Sequence, residues 1–566
     1  MSQTPFEQTR ELRIGTVDFV SPDEIKVSLE VEAPESVVLN LGVPRPFPRV
    51  NSYLLIPVDE IFLVGQVEWI TIEHSPFPKR RGMQDFGLVD LPYPLRRLRL
   101  NPLGTLRAHP DKTEHTFTRG TNALPSLGSS VVLPTEPQLR SIVESGEHRR
   151  VKIGTSPLAG DAEVYVDPDR LFGRHLAVLG NTGSGKSCSI AGLIRWSLEQ
   201  ARQQSSGHPN ARFIVLDPNG EYSRAFNGDD PVKARIFKIN PSEDKGEMDL
   251  KVPLWFWNSA EWCAFLQASS QSQRPSLLNA LREVRSNQEK SDVNVDTPQF
   301  FNGESLRNAV NNHCQSHHCY SLKLRLEELI NDIRIKPIVD SEIKIDLNKW
   351  LEDYIGKSNN EQGSISIIDL SLVSSDVVHI ITAVIARMVF EALQRYVKLN
   401  QVSLPTVLVM EEAHTFVKRY RQEVDNQDAA TICCQAFERI AREGRKFGLG
   451  LVLSSQRPSE LSPSVLSQCN SFVLHRISND RDQEIIHRFV PDNLRGLLRE
   501  LPSLPSRSAI LLGWASELPV LVTMNDLPEA QQPRSDDPEF WDVWTGTKNR
   551  SVDWQEFAND WQGNSE

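Results

Sequence analysis

The sequence predicts an α/β chain in two parts: a small N-terminal β-barrel, then a core whose parallel sheet surrounds a phosphate loop and is interrupted by a helical insertion. Before about residue 135 the chain carries short alternating apolar and polar runs separated by turn residues, as closely spaced antiparallel strands do. From about 170, continuous apolar runs alternate with helical patterns, as strands buried on both faces of a parallel sheet do. Between one such run, His175–Leu179, and the helix after it stands Gly180-Asn181-Thr182-Gly183-Ser184-Gly185-Lys186-Ser187, which fits G-x-x-x-x-G-K-[ST] at every fixed position.

Residues 1–150 are read as the barrel and a linker. Leu12–Val20, Glu24–Leu29, Ser52–Val58 and Ile61–Ile70 are its strand candidates, with a turn at Ser21-Pro22-Asp23. The linker is expected in the Pro-, Ser- and Gly-rich stretch 122–160. Residues 151–530 form the expected core, with strands at His175–Leu179, Arg212–Leu216, Ser364–Leu370, Thr406–Met410, Gly450–Ser454, Ser471–Leu474 and Ala509–Leu512. The polar stretch at about 240–360 breaks the alternation. It carries helix-like patterns at Ser259–Ser270, Ser276–Ser286 and Ser321–Ile333, and is read as a helical insertion. A polar, Trp-containing tail fills 531–566.

At 566 residues more than one domain is expected, and 39% apolar with 24% charged residues suits a soluble globular chain. A net charge of −12 excludes a surface that is basic all over, so any nucleic-acid contact must be local. Seven scattered cysteines suggest no disulfide framework and fit a reducing cytoplasm. Met1–Arg10 lacks the apolar core of a signal peptide. The most apolar run, Val377–Leu393, contains His379, Arg387 and Glu391, with Asp376 at its border, and reads as a buried helix rather than a membrane span.

The glycines of the loop let backbone N–H groups converge on phosphate, and the following helix adds its positive end. Lys186 would reach the β- and γ-phosphates and the Ser187 hydroxyl would ligate Mg²⁺. The nucleotide-binding stretch is therefore Gly180 to Ser187, with Cys188 beside it. Such a site needs carboxylates on a strand next to the loop. Val407–Glu412 ends in Glu411-Glu412 and is favoured over Ile365–Asp369, because two carboxylates divide the labour. Glu411 would hold Mg²⁺ through water and Glu412 would polarise the attacking water. Asp369 otherwise reads as a cap at a strand end. Gln456, after the next strand, either senses the γ-phosphate or is a satisfied loop amide. Asp217-Pro-Asn-Gly-Glu221-Tyr222 either supplies a carboxylate to the crevice or is simply a turn. In the basic run Arg439 to Lys446, Arg439 and Arg442 share a helix face, and the run is either solvated or donates an arginine to a neighbouring subunit. Lys418, Arg419 and Arg421, spaced by Tyr420, form a weak candidate for a nucleic-acid backbone contact. His313, Cys314, His317, His318 and Cys319 lack a second ligand pair at zinc spacing and are read as a polar loop.

Taken in order, Arg174–Ser187, Leu216–Tyr222, Glu411–His414, Ala441–Gly448 and Ser455–Ser459 resemble the HerA family of hexameric DNA translocases, in the HerA–FtsK superfamily, over about 170–515. The β-rich start resembles that family's N-terminal barrel. The resemblance implies a RecA-like core, a homohexameric ring, and ATP- and Mg²⁺-dependent movement on double-stranded DNA through the pore. It maps catalytic positions onto Lys186, Ser187, Glu411, Glu412 and Gln456. It makes Arg174 and Arg445 phosphate contacts, at least one across a subunit interface, without saying which. One departure is Glu411, where the family more usually has Asp. Relatives work with a nuclease in DNA end processing, or with a nuclease or Sir2-like effector in antiphage defence. A ring that mainly scaffolds and switches such an effector is therefore the alternative to a translocase. A secretion-type coupling ATPase would need a membrane anchor.

Overall fold

A computed structural model of the chain describes residues 12–30, 37–40, 43–46, 48–73, 95–108, 115–121, 123–144, 150–204, 209–226, 232–268, 273–286, 294–315, 317–339, 345–357, 364–420, 428–489, 495–516, 518–533 and 540–562. The N-terminal strands are β1 (Arg13–Val20), β2 (Ile25–Leu29), β3 (Val37–Asn40), β4 (Val43–Pro46), β5 (Tyr53–Val58), β6 (Ile61–Glu73), β7 (Leu95–Ala108), β8 (His115–Arg119) and β9 (Ser130–Val132). Antiparallel pairing runs β2-β1-β9-β5-β6-β7, and β7 pairs back onto β2, so the sheet closes into a barrel with β8 added outside β7. Alternation drives the closure: Ile25, Val27 and Leu29 of β2 point into the barrel core and the residues between them point out. Closure also removes the exposed sheet edges of these six strands.

The stretch 122–160 is not a free linker. Its Val131, Val132 and Leu133 are buried, and β9 completes the barrel between β1 and β5. A helix at Glu136–Val143 follows, started by a capping box between Thr135 and Gln138. Gly128 and Gly160 sit in turns there, whereas Pro137 lies in this helix and Gly154 in the strand Val151–Ser156.

The second sheet contains β10 (Val151–Ser156), β11 (Ala162–Val166), β12 (Leu176–Leu179), β13 (Phe213–Asp217), β14 (Ala234–Lys238), β15 (Met248–Asp249), β16 (Ile365–Asp369), β17 (Thr406–Met410), β18 (Leu449–Ser455), β19 (Ser471–Leu474), β20 (Ser508–Gly513) and β21 (Val520–Met524). Its order is β11-β10-β21-β20-β19-β12-β18-β17-β13-β16-β14-β15. From β19 to β15 every pairing is parallel, while β20, β21, β10 and β11 continue antiparallel. Every residue of β12 and β18 is buried, as a sheet covered on both faces requires. Gly450 in β18 is forced by close approach: a Cβ there would lie 2.1 Å from the Phe172 carbonyl oxygen.

Between β15 and β16 the chain is helical, at Ser259–Phe265, Gln273–Ser286, Gly303–His313, Tyr320–Asn331, Lys336–Val339 and Leu347–Tyr354. Apolar faces of these helices share one core cluster with the helix Ser375–Asn400, which contains the run Val377–Leu393. Among the described residues no helix is long and apolar enough to cross a membrane. Arg387, in the middle of that helix, is buried and donates to Glu261 (2.7 and 2.9 Å) and to the Phe256 carbonyl (2.6 Å). The pair ties the helical segment to the helix Ser375–Asn400.

Two cysteines depart from the reduced-thiol expectation. Cys314 and Cys319 form a disulfide across the short loop between two of these helices, and both are buried. His313 meets Glu283 at 2.7 Å, and among the described residues no group of three His, Cys, Asp or Glu could hold a metal. After 533 the described tail consists of short helices at Phe540–Trp544 and Trp554–Trp561 whose aromatic side chains face solvent.

Glu261→Ala should cost about 3 kcal/mol of stability in denaturant unfolding, because it strips a buried guanidinium of its bidentate carboxylate partner and leaves only Glu391, at 3.3 Å. A loss below about 1 kcal/mol would mean that the Arg387 charge is compensated elsewhere.

Candidate functional site

The parallel strands β12, β18, β17 and β13 all end on one edge of the sheet, and the segments that follow them converge in a single crevice. The loop after β12 turns through Gly183 (φ 70°) and Gly185 (φ 103°), conformations that favour glycine. Its start is pinned by Gly180 N–H to the Ser455 carbonyl (3.2 Å) and Asn181 N–H to the Arg476 carbonyl (2.8 Å). The helix Lys186–Gln204 begins at the loop's end. Lys186 is buried, and its Nζ donates to the Asn181 carbonyl at 3.0 Å. Burial lowers its pKa, and Glu412, Glu411 and Glu221 oppose that shift.

Glu411 follows β17 directly. It is buried, and its two oxygens are fully engaged. Oε1 accepts from Ser187 Oγ (3.1 Å) and Ser454 Oγ (2.9 Å), while Oε2 accepts from the Tyr222 hydroxyl (2.7 Å). Burial pushes its carboxyl up to about 7 against the pull of Tyr222, Ser454 and Lys186. Glu412 sits at φ 46°, a left-handed conformation that costs a non-glycine residue on the order of 1 kcal/mol or more. Its Oε2 faces His414 Nδ1 at 3.1 Å.

One expectation about this strand needs correcting. β17 is not next to β12, because β18 lies between them. The longer reach is covered by the Glu411 side chain and by the helix that carries Ser187. Asp369 is two strands further out and serves its own turn: its Oδ1 accepts from Ser371 N–H (3.0 Å) and Oγ (2.6 Å). Asp217 is likewise spent locally. Its carboxylate accepts the N–H groups of Asn219, Gly220 and Tyr222, which closes the turn after β13. Gly220 has φ 72°, and a Cβ there would lie 3.3 Å from the Asp369 carboxylate. Glu221 stays close enough to feel Asp217, Glu412 and Lys186, and burial raises its pKa. Gln456 Oε1 accepts from the Thr182 hydroxyl, joining the end of β18 to the phosphate loop.

Arg174 and Arg445 are not in this crevice. Arg174 precedes β12, and its guanidinium lies 4.1 Å from the centre of the Trp514 ring. Arg445 lies in the tight turn before β18 and is exposed. β18 is seven residues long. At ~3.3 Å per residue that puts roughly 20 Å of sheet between Arg445 and Gln456. Arg439 and Arg442 pair along their helix with Glu443 (3.6 Å) and Glu438 (4.0 Å). Lys418 and Arg419 are exposed, whereas the Tyr420 hydroxyl donates to Glu438 at 3.2 Å and its ring packs on the core. Tyr420 is therefore part of the packing rather than a spacer. Arg421 lies outside the described residues.

Residues 151–389 match the family model described as the central domain of the helicase HerA. A probable helicase of Methanocaldococcus jannaschii is 26% identical over 498 residues, 84% of this chain and 86% of its own length. The DNA double-strand break repair helicase HerA of Saccharolobus solfataricus is 25% identical over 506 residues, covering 88% and 91%. Among solved structures, VirB4 of Thermoanaerobacter pseudethanolicus aligns with 68% of this chain and 99% of its own at 14% identity and a TM-score of 0.47.

The crevice contains groups that motif spacing does not reveal. Tyr222 was visible only as the end of a turn motif. Ser454 reads as one more residue of a buried strand. His475, at the end of β19, lies behind the phosphate loop: Nε2 is 3.0 Å from Ser189 Oγ, Nδ1 is 3.1 Å from the Ser508 carbonyl, and a Cβ on Gly180 would collide with it at 2.6 Å. A cavity of about 170 Å³ adjoins the loop, lined by Cys188, Trp196, Met524 and Leu527, with Arg507 at its edge. Its walls come from segments more than 300 residues apart in sequence, so no local pattern announces them.

Burial lowers the pKa of His475 to about 4, so the folded protein holds a neutral ring where the unfolded chain has one near 6.5. Between those values the unfolded state binds more protons, and stability must fall as pH drops from about 6.5 toward 4. Melting temperature measured across that window should slope less steeply in His475→Gln than in the unmodified chain. Equal slopes would mean that His475 is not the group responsible.

Proposed function

We propose that this protein is an ATP-driven translocase of double-stranded DNA that works as a homohexameric ring. The observation that carries the reading is the meeting of Ser187 and Glu411 at 3.1 Å beside the buried Lys186. Two oxygen donors and a lysine at the root of a phosphate loop form a site for a nucleoside triphosphate with its magnesium ion. ATP hydrolysis is the activity of this core, and DNA as its track is supported by relatives named as DNA repair helicases.

The donor set fits Mg²⁺: a hydroxyl and a carboxylate, hard oxygens on facing elements, with no sulfur between them. Ser187 and Glu411 would hold the ion, which supplies charge neutralisation on the phosphates. Lys186 places a fixed positive charge against the β- and γ-phosphates. Backbone N–H groups of the loop beyond Asn181 would wrap the phosphates, since those of Gly180 and Asn181 are engaged by the Ser455 and Arg476 carbonyls, and Cys188 and Trp196 line the adjoining cavity. Glu412 would orient and polarise water, its Oε2 facing His414 Nδ1 at 3.1 Å. Gln456, bonded to Thr182, links this site to β18.

Arg174 and Arg445 are on the far edge of the sheet from their own phosphate loop. Either can serve a phosphate only if that edge faces the crevice of a neighbouring copy, which supports a ring with shared sites. DNA contact would be local, through exposed loops such as the one carrying Lys418 and Arg419.

The second reading is a ring that scaffolds and switches a partner nuclease or Sir2-like effector, including in antiphage defence. It is favoured by the tail, where Trp541, Trp544, Trp554 and Trp561 are 73–92% exposed.

The test is native mass together with ATP hydrolysis, with and without duplex DNA. A sixfold mass and DNA-stimulated hydrolysis without any partner are expected. A ring that hydrolyses ATP without responding to DNA would favour the scaffold. Lys186→Ala should abolish hydrolysis, and Glu412→Gln should retain ATP binding while hydrolysis falls by at least ~100-fold. Near-normal turnover in Lys186→Ala would sink the site assignment.

Arg445→Ala should lose turnover with little loss of ATP affinity. Mixing it with Glu412→Gln subunits, which supply an intact Arg445, should restore part of the activity. No rescue in rings shown to mix would transfer the role to Arg174.

A further inference from the structure

We propose that Tyr222 is a positioning residue of the hydrolytic site, its hydroxyl holding the Glu411 carboxylate in the orientation that serves Ser187 and the metal. The proposal rests on the reading of this crevice as a nucleotide site and assigns within it a residue whose role there was open.

The geometry is specific to the hydroxyl. Glu411 sits at the tip of β17 with 2% exposure, so water does not solvate its oxygens freely. Oε1 already serves two hydroxyls, Ser187 and Ser454. Oε2 accepts from Tyr222 at 2.7 Å, a charge-assisted bond of the short, strong kind. Without that donor, one oxygen of a buried carboxylate loses its partner, and the group gains by rotating or by taking up a proton. Rotation withdraws Oε1 from Ser187, and a proton removes the negative charge that the metal would meet.

Tyr222 is itself rigidly placed. It is fully buried, its ring stacks on Phe226 at 6.3 Å, and its N–H donates to Asp217 Oδ2 at 2.9 Å. The same carboxylate accepts the N–H groups of Asn219 and Gly220. The tyrosine hydroxyl is also 3.5 Å from the Ser187 carbonyl. The turn Asp217–Tyr222 thus acts on the site through a side chain five residues beyond its carboxylate. Asp217 builds the turn, the turn aims Tyr222, and Tyr222 aims Glu411. A carboxylate in such a turn looks like a ligand in sequence, yet here its oxygens are consumed by backbone.

Tyr222→Phe in the full-length protein keeps the ring and its packing and removes only the oxygen. Turnover should fall about tenfold, the loss expected for one charge-assisted hydrogen bond of ~1.5 kcal/mol. KM for ATP and affinity for ADP measured without divalent metal should stay within about twofold, because the phosphate loop is untouched. Mn²⁺ binding to the ADP-bound protein, followed by electron paramagnetic resonance, should weaken severalfold. Replacing Tyr222 with 4-aminophenylalanine returns an N–H donor to the same place and should restore most of both quantities. Normal turnover and normal Mn²⁺ affinity in Tyr222→Phe, with or without a lower melting temperature, would overturn the proposal, as would failure of the amino analogue to rescue. Lys186→Ala run alongside separates the two levels. If it retains turnover, the nucleotide-site reading fails. If it is dead while Tyr222→Phe behaves as the unmodified protein, only the role of Tyr222 fails.

Discussion

The buried carboxylate of Glu411 is the constraint around which the crevice edge of the parallel sheet is organised. An ionised carboxylate removed from water is costly unless donors replace the lost hydration. Here the donors come from three separate places: Ser187 on the helix after the phosphate loop, Ser454 on β18, and Tyr222 in the turn after β13. Each of these elements must be in register for Glu411 to be satisfied. Satisfying one side chain therefore aligns the phosphate loop, the acidic strand and the turn with one another. The same burial that makes the carboxyl easy to protonate, near pH 7, makes its partners energetically important.

A second constraint is the polarity of the parallel sheet. All the parallel strands point the same way, so one edge collects the phosphate loop, Glu411, Glu412, Asp217 and Gln456, and the opposite edge collects Arg174 and Arg445. A single copy holds acid and base groups at one end and its candidate arginines at the other. That separation is what a shared site between copies would require. Trp514 supports the arginine end by covering the Arg174 guanidinium with its ring face.

The parts added to the sheet share its apolar core and are joined to it by specific polar links as well. The helical segment between β15 and β16 is fastened through Arg387 and Glu261, a buried ion pair with an added backbone acceptor. Such pairs favour one arrangement because a shifted helix would leave the buried Glu261 without its cation. The barrel meets the core at Asn51, whose side-chain amide donates to Glu500. The disulfide between Cys314 and Cys319 braces a short loop within the helical segment.

The sequence by itself determined the strand–loop–helix at Gly180–Ser187, the apolar strands and the carboxylate pair at Glu411-Glu412, because these depend on local spacing and on period. It also carried the barrel's alternation, since each strand must present one apolar face whatever its partner. Only the tertiary structure decided which ambiguous carboxylates matter. Asp217, Asp369 and Glu411 all end apolar strands. Two of them are consumed by their own turns, and one faces Ser187 from two strands away. Strand order settles that, and strand order is a matter of crossovers between distant segments rather than of any residue's neighbours. The same holds for His475 behind the loop, for Tyr222 against Glu411, and for two arginines set beyond reach of their own site. Each follows from where a sheet brings residues together through space, which no local spacing encodes.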